Sequence, residues 1–238
     1  MASLFISDLH LSQERPDITQ IFLRFLQGPA QQAEALYILG DLFEVWLGDD
    51  MVLPDYQQAI SELKTLSNTV PVFIMYGNRD FLMRSRFEEM TGCTLLADEL
   101  VIDLYGTPTL IMHGDTLCTD DVAYQNFRNM VRDPAWQAEL LNKSPEERLA
   151  LARKLREISK TETSDKDAAI MDVNQTTVEQ TMSRHKVQQL IHGHTHRPAV
   201  HEFSLAGQPA RRIVLADWYH NGSLLRVDEN GFATEQLA

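Results

Sequence analysis

Five apolar stretches of this chain each end in a short cluster of carboxylate, imidazole or carboxamide side chains, and this repetition constrains the fold more than any other feature. Phe5-Ile6-Ser7 leads into Asp8-Leu9-His10, Leu36-Tyr37-Ile38-Leu39 into Gly40-Asp41, and Val72-Phe73-Ile74-Met75-Tyr76 into Gly77-Asn78-Arg79-Asp80. Leu110-Ile111-Met112 leads into His113-Gly114-Asp115, and Leu190-Ile191 into His192-Gly193-His194-Thr195-His196. Short apolar runs bounded by turn residues read as buried strands. In an α/β sheet the carboxyl ends of strands lie along one edge, where ligands bind. Residues remote in sequence then meet at one place, and residues of these types hold divalent metals. The expectation is a centre for two ions.

The segments between the first strands carry helical spacing. Ile18, Ile21, Phe22, Phe25 and Leu26 form one stripe, with Pro16 suited to the helix start. Tyr56, Ile60, Leu63 and Leu66 form a second behind Pro54. A third helix is expected over 81–90, stopped by Gly92. Strand-helix alternation implies a largely parallel sheet with right-handed crossovers. Residues 100–104 and 109–112 read as a hairpin through Tyr105-Gly106. Segments 199–203, 212–216 and 224–227 read as antiparallel strands of a second sheet. Residues 119–186 lack strand signal and read as a helical insertion within a single domain, 1–238.

Bulk properties exclude several classes. The formal net charge of -13 argues against nucleic acid, whose phosphates demand a positive footprint. A small anionic substrate stays possible, because two divalent ions locally invert the field around a few carboxylates. Cys93 and Cys118 form no disulfide framework and fit a reducing compartment. The first residues read as a strand and not as a signal peptide, and no apolar run approaches a membrane span.

Each cluster has its own chemistry. Residues i and i+2 of an extended segment project the same way, so Asp8 and His10 can reach one ion. Asp41 has two oxygens and can bridge two ions, and Gly40 permits close backbone approach beside it. Asn78 offers a carboxamide oxygen, and Arg79 a guanidinium for a phosphate. Asp80 suits capping of the following helix. His10, His113, His194 and His196, four of the eight histidines, sit at strand ends beside glycine or another ligand type. His185, His192, His201 and His220 lack that context and read as structural or surface residues.

Taken in order, these blocks resemble the calcineurin-like metallophosphoesterases over nearly the whole chain. The resemblance implies an α/β fold, a β-sandwich of two mixed sheets flanked by helices, with a di-metal centre at the strand ends. It implies one ion held by Asp8, His10, Asp41 and His196, and another by Asp41, Asn78, His113 and His194. Arg79 and Asp80 are then the catalytic residues. Many members of that family carry histidine at the position of Arg79, as an acid for the leaving group. An arginine cannot give up a proton at ordinary pH. A leaving group that departs unassisted, such as a phosphoanhydride oxygen, is therefore expected.

A closer resemblance is to the bacterial UDP-2,3-diacylglucosamine hydrolases of lipid A biosynthesis. It is carried by Leu36 onward to Glu44, Met112 onward to Asp121, Ile170 onward to Gln175, and His192 onward to Pro198. The implied reaction is attack of water at the α-phosphorus of a UDP-linked diacylated glucosamine, giving UMP and the sugar 1-phosphate, with Mn²⁺ foremost as cofactor. The implied substrate contacts are Asn78, Arg79, Asp121, Ser159, Thr163, Lys166 and His194, with Thr163 standing where the family often has Asn. A monomer in the cytoplasm, peripherally attached to the inner membrane, is expected. Two acyl chains need an apolar chamber, since each buried methylene is worth about 0.8 kcal/mol. Phe127, Met130, Val131, Trp136, Leu140, Leu149, Ala152 and Leu155 are candidates to wall it. Residues 143–160 carry six Lys/Arg against three Glu, which suits docking on anionic lipid. A broad phosphodiesterase or nucleotide pyrophosphatase would share the metal centre and differ in the insertion. A non-enzymatic scaffold would have lost ligands.

Overall fold

In the computed structural model, which describes residues 1–164 and 170–237 and the side chains of all of these except 158–164, each of the five apolar runs is a strand. The elements run β1 (Ser3–Ile6), α1 (Pro16–Gln27), β2 (Ala35–Leu39), α2 (Gln57–Ser67), β3 (Val72–Met75), α3 (Ser85–Thr91) and β4 (Thr94–Leu95). The hairpin β5 (Glu99–Leu104) and β6 (Thr107–Met112) follows, then helices α4 (Val122–Arg132), α5 (Pro134–Leu141), α6 (Pro145–Ser164) and α7 (Gln175–His185). The chain closes with β7 (Gln189–His192), β8 (Ala199–Leu205), β9 (Gln208–Val214), β10 (Gly222–Asp228) and β11 (Gly231–Leu237).

The strands form two mixed sheets, ordered β11-β10-β1-β2-β3-β4 and β5-β6-β7-β9-β8. Their central strands are apolar throughout because both faces are covered. Leu4, Ile6, Leu36, Ile38, Val72 and Ile74 face a cluster completed by α1, α2 and α3. The alternate residues Phe5, Leu39 and Met75 turn the other way and meet Ile111, Ile191 and Ile213 of the second sheet. The outer face of that second sheet packs Leu110, Met112 and Leu190 against Val178 and Met182 of α7. Parallel pairing of β1 with β2, β2 with β3, and β6 with β7 gives the chemically loaded ends a common direction within each sheet.

Three expectations change. Segment 224–227 does not join the second sheet: β10 pairs antiparallel with β1, Ser3 opposite Val227. Its residues Leu224 and Leu225 face opposite clusters, so its pattern fits the interior of either sheet. The following strand β11 is exposed along most of its length and has no counterpart among the expected strands. The third helix starts at Ser85, not at 81, because Asp80 does not cap it. Asp49 does so instead, accepting from the Arg84 and Phe87 N–H groups at 3.0 and 2.9 Å. Gly92 ends that helix at φ +69° as expected.

Candidate metal centre

The loops after β1, β2, β3, β6 and β7 bring all seven expected ligands together. Asp41 is buried between the two halves of the group. The Arg79 backbone N–H donates to its Oδ1 at 2.8 Å. Its Oδ2 stands 3.8 Å from His10 Nε2 and 3.9 Å from His113 Nε2, midway between the two imidazoles. On one side are Asp8, His10 and His196. Asp8 Oδ2 is occupied, accepting from Ser7 Oγ at 2.6 Å and the His194 N–H at 2.9 Å. Its Oδ1 is buried without a well-aligned hydrogen bond, with His196 Nε2 3.3 Å away. On the other side, Asn78 Oδ1 stands 3.1 Å from His113 Nε2 and 2.9 Å from His194 Nδ1. The Nδ1–H of His113 donates to the Leu39 carbonyl at 2.8 Å, which leaves its Nε2 lone pair aimed into the group.

This arrangement fits divalent cations. Donor atoms of Asp8, His10 and His196, and again of Asp8, Asp41 and His113, lie within 4.8 Å of one another. An ionised carboxylate oxygen buried without a partner is costly unless a cation meets it. Hard oxygen and imidazole donors, with no thiolate, suit Mn²⁺, Zn²⁺ or Fe²⁺.

Electrostatics follow the same plan. Burial pushes the Asp8 carboxyl up, but the approach of His196 and the charges of His113 and His10 outweigh it and hold it well below the usual range. Burial likewise acts to lower His113, and the carboxylates of Asp41, Asp8 and Asp115 raise it. Burial and then the charge of His113 take His194 down to about 4, so its ring is a neutral donor at pH 7. Asp80 is pushed up to about 6, by burial first and the Asp41 charge second.

The local backbone differs from the reading that paired Asp8 with His10. Neither residue is extended: φ is +56° at Asp8 and +50° at His10. Asp41, His194 and His196 are also left-handed, at +52°, +69° and +54°. Tight left-handed turns past the strand ends, not strand alternation, aim these side chains. Gly40 and Gly77 make the turns possible. A Cβ on Gly40 would strike the Gly77 backbone and the His113 ring, and one on Gly77 would enter the Asp41 carboxylate.

Asp80 is wholly buried and, among the described residues, meets backbone donors. Leu42 and Phe43 N–H reach its Oδ2 at 2.8 and 3.4 Å, and Gly77 N–H reaches Oδ1 at 2.8 Å. It clamps the loop after β2 to the loop after β3. Arg79 lines a cavity of about 520 Å³, together with Asn78, Glu44 and Asp121. Every one of the eight apolar residues proposed to wall a chamber, from Phe127 to Leu155, lines this cavity. Asp121 N-caps α4, accepting from the Tyr124 N–H at 3.0 Å. The side chains of Ser159 and Thr163, on α6, and all of Lys166 lie outside the described residues.

Helices α4 and α6 are tied directly to the strand-end loops. Arg132 of α4 donates to the Gly77 carbonyl at 2.9 Å. Arg128 donates to the buried carboxylate of Asp115 at 2.6 Å. Arg148 of α6 is 5% exposed and donates to the Leu47 carbonyl and to Asp50, at 3.1 and 2.7 Å. Arg156 reaches Glu44 at 3.2 Å. Two of the six basic residues counted in 143–160 are thus turned inward, while Arg153 and Lys154 are exposed. Sequence reasoning assigned no role to Glu44, Arg128 or Arg132. Their signal, a charged residue whose partner lies in another element, is not local.

A family model described as calcineurin-like phosphoesterase matches residues 1–198. A UDP-2,3-diacylglucosamine hydrolase of Stenotrophomonas maltophilia is 49% identical, over 100% of this chain and 99% of the relative. One from Salmonella arizonae is 54% identical over 95% of each. Among solved structures, an archaeal phosphodiesterase superposes with a TM-score of 0.51 at 13% identity, over 100% of both chains, a likeness of fold.

Proposed function

Because the chain belongs to the calcineurin-like phosphoesterase family, we propose that it hydrolyses the pyrophosphate of UDP-2,3-diacylglucosamine in lipid A biosynthesis, releasing UMP and 2,3-diacylglucosamine 1-phosphate. The observation that carries this reading is the apolar cavity of about 520 Å³ opening onto Asn78, Arg79 and Asp121 beside the ligand group. The polar end of this space at Asn78, Arg79 and Asp121 suits sugar and phosphate, and its apolar walls suit acyl chains. The names of relatives at about half identity point to the same substrate.

Asp8, His10, Asp41 and His196 would hold one ion, and Asp41, Asn78, His113 and His194 the other, Mn²⁺ foremost. Bound there, two divalent ions acidify a water molecule and offset negative charge on the phosphoryl group. The protein's own residues do the rest. Arg79 faces the cavity and meets the phosphoryl oxygens as their charge grows. It supplies no proton, so the scissile bond is one whose leaving group departs as a stable phosphate oxygen. Asp80 acts by position, keeping Asp41 and Asn78 at their separation. Asp121, with Ser159, Thr163 and Lys166, supplies contacts to the head group. Apolar walls on α4, α5 and α6 exclude water from the acyl chains and favour the diacylated substrate.

Among the described residues no helix is long and apolar enough to cross a membrane. Access to a lipid substrate then requires surface contact. Exposed Arg153 and Lys154 on α6 and the exposed Val122 and Met130 on α4 support peripheral docking of a cytoplasmic monomer on the anionic inner membrane.

Incubation of the protein with UDP-2,3-diacylglucosamine and Mn²⁺ in ¹⁸O-water tests the reading. Label is expected in UMP, as attack at the α-phosphorus requires. Label in the lipid phosphate would reverse the direction of attack. Turnover of the deacylated analogue at an equal rate would favour a broad pyrophosphatase. Asp41→Ala and His113→Ala should each lose bound metal and at least roughly a thousandfold of activity.

A further inference from the structure

His10 is held on three sides. Tyr219 stacks on its ring, centroids 5.7 Å apart and planes within 8°. Nε2 is turned to the ligand group, 3.8 Å from Asp41 Oδ2 and 3.5 Å from His196 Nε2. Nδ1 is turned the opposite way, buried, and stands 3.3 Å from Glu44 Oε2, within ion-pair distance and without a well-aligned hydrogen bond. The Glu44 side chain is only 11% exposed, and its other oxygen faces Arg156 Nε at 3.2 Å and Arg79 at 3.8 Å. Its backbone is fixed as well: the Glu44 N–H donates to the Leu11 carbonyl at 3.1 Å, and Leu11 bridges Phe43, so the segment after His10 and the segment after Asp41 are laced together.

A neutral imidazole has one N–H and one lone pair, and whichever nitrogen meets an acceptor keeps the proton. We propose that Glu44 is a positioning residue for the metal centre: its carboxylate accepts a hydrogen bond from the Nδ1–H of His10, which keeps the proton on Nδ1 and so commits the Nε2 lone pair to the ion. The two guanidiniums hold the carboxylate in place from its far oxygen, and Tyr219 keeps the ring plane. Carboxylates behind metal-bound histidines typically contribute ten- to hundredfold to metal affinity by this means. The role links helix α6 to the metal site through Glu44, since Arg156 shares the oxygen that also faces Arg79.

The inference rests on His10 being a metal ligand, and the test separates the two claims. Mn²⁺ binding to the chelator-stripped protein is measured by calorimetry for wild type, Glu44→Met, Glu44→Gln and His10→Ala. Methionine fills the space of Glu44 without an acceptor and should weaken one of the two ions about ten- to hundredfold. Glutamine keeps an acceptor oxygen and should stay within about threefold of wild type. Glu44→Met binding both ions as tightly as wild type would overturn the proposal while His10→Ala still binds weakly. His10→Ala binding both ions normally would remove the ligand assignment, and the proposal with it. A second measurement needs no variant: in the Zn²⁺-loaded wild type, imidazole ¹⁵N shifts should place the His10 proton on Nδ1. A proton on Nε2 would refute the role.

Discussion

Replacing Asp80 separates a clamp from a reactant. Its carboxylate accepts two short hydrogen bonds, from Leu42 N and Gly77 N at 2.8 Å each, and a longer one from Phe43 N, at a site with no solvent exposure. Asp80→Ala leaves the two strong donors buried and unpaired. Each such group costs about 1–3 kcal/mol, so roughly 2–6 kcal/mol of stability is at stake. Asp80→Asn keeps one acceptor oxygen and turns an NH₂ towards the other donor, a loss of about 1–3 kcal/mol. Part of that is offset, because burial and the Asp41 charge raise the Asp80 pKa from 3.8 to about 6 and make its ionised form unfavourable. Between those values the folded metal-free protein holds a proton that the unfolded chain has released. This contribution is complete below pH 3.8 and is lost as pH rises through about 6. The assay is urea denaturation of the chelated protein between pH 4 and 7. Asp80→Ala should be the less stable variant throughout, and Asp80→Asn should lack the falling slope seen in wild type. The clamp reasoning fails if Asp80→Ala unfolds within about 0.5 kcal/mol of wild type.

Other consequences are testable in the same way. The His194 pKa is lowered to about 4 against an ordinary 6.5, so its neutral form contributes stability that is complete above pH 6.5 and lost as pH falls through about 4. In metal-free protein the difference between wild type and His194→Gln should shrink across that window, and a constant difference would refute it. Gly77→Ala would drive a methyl into the Asp41 carboxylate, and calorimetry should record at least roughly a tenfold loss of Mn²⁺ affinity. Arg148→Met removes the buried link from α6 to Leu47 and Asp50. KM for the diacylated substrate should rise while hydrolysis of a small nucleotide pyrophosphate holds steady.

The ligands were legible because each lies within a few residues of the strand that carries it, and a run such as Leu36 to Leu39 announces its own burial on both faces. The partners of those ligands were less so. Asp80 reads locally as a helix cap, yet two of its donors are Leu42 and Phe43, far away in sequence, and the third, Gly77, precedes it. Glu44 sits in a recognisable stretch but gains its meaning from His10 and Arg156. Sheet membership of β10 depends on register with β1, which no local pattern encodes. The strand β11 lacks a buried face and so lacked the alternation that would have marked it. The apolar wall from Phe127 to Leu155 was visible as a helical stripe, and only the fold made it one side of a space reaching Arg79.

Five of the seven ligands occupy left-handed backbone, where a residue with a Cβ sits about 1–2 kcal/mol above its preferred conformation. Glycine, without a Cβ, occupies that region at no such cost. Replacing Asp8, His10, Asp41, His194 or His196 by glycine would relax the backbone while removing a metal ligand. Under selection for heat resistance alone, with no demand for turnover, these positions would be among the first to drift. A laboratory lineage evolved that way should arrive at a sturdier, inert protein on the same scaffold. Activity is what keeps this chain in its less comfortable form.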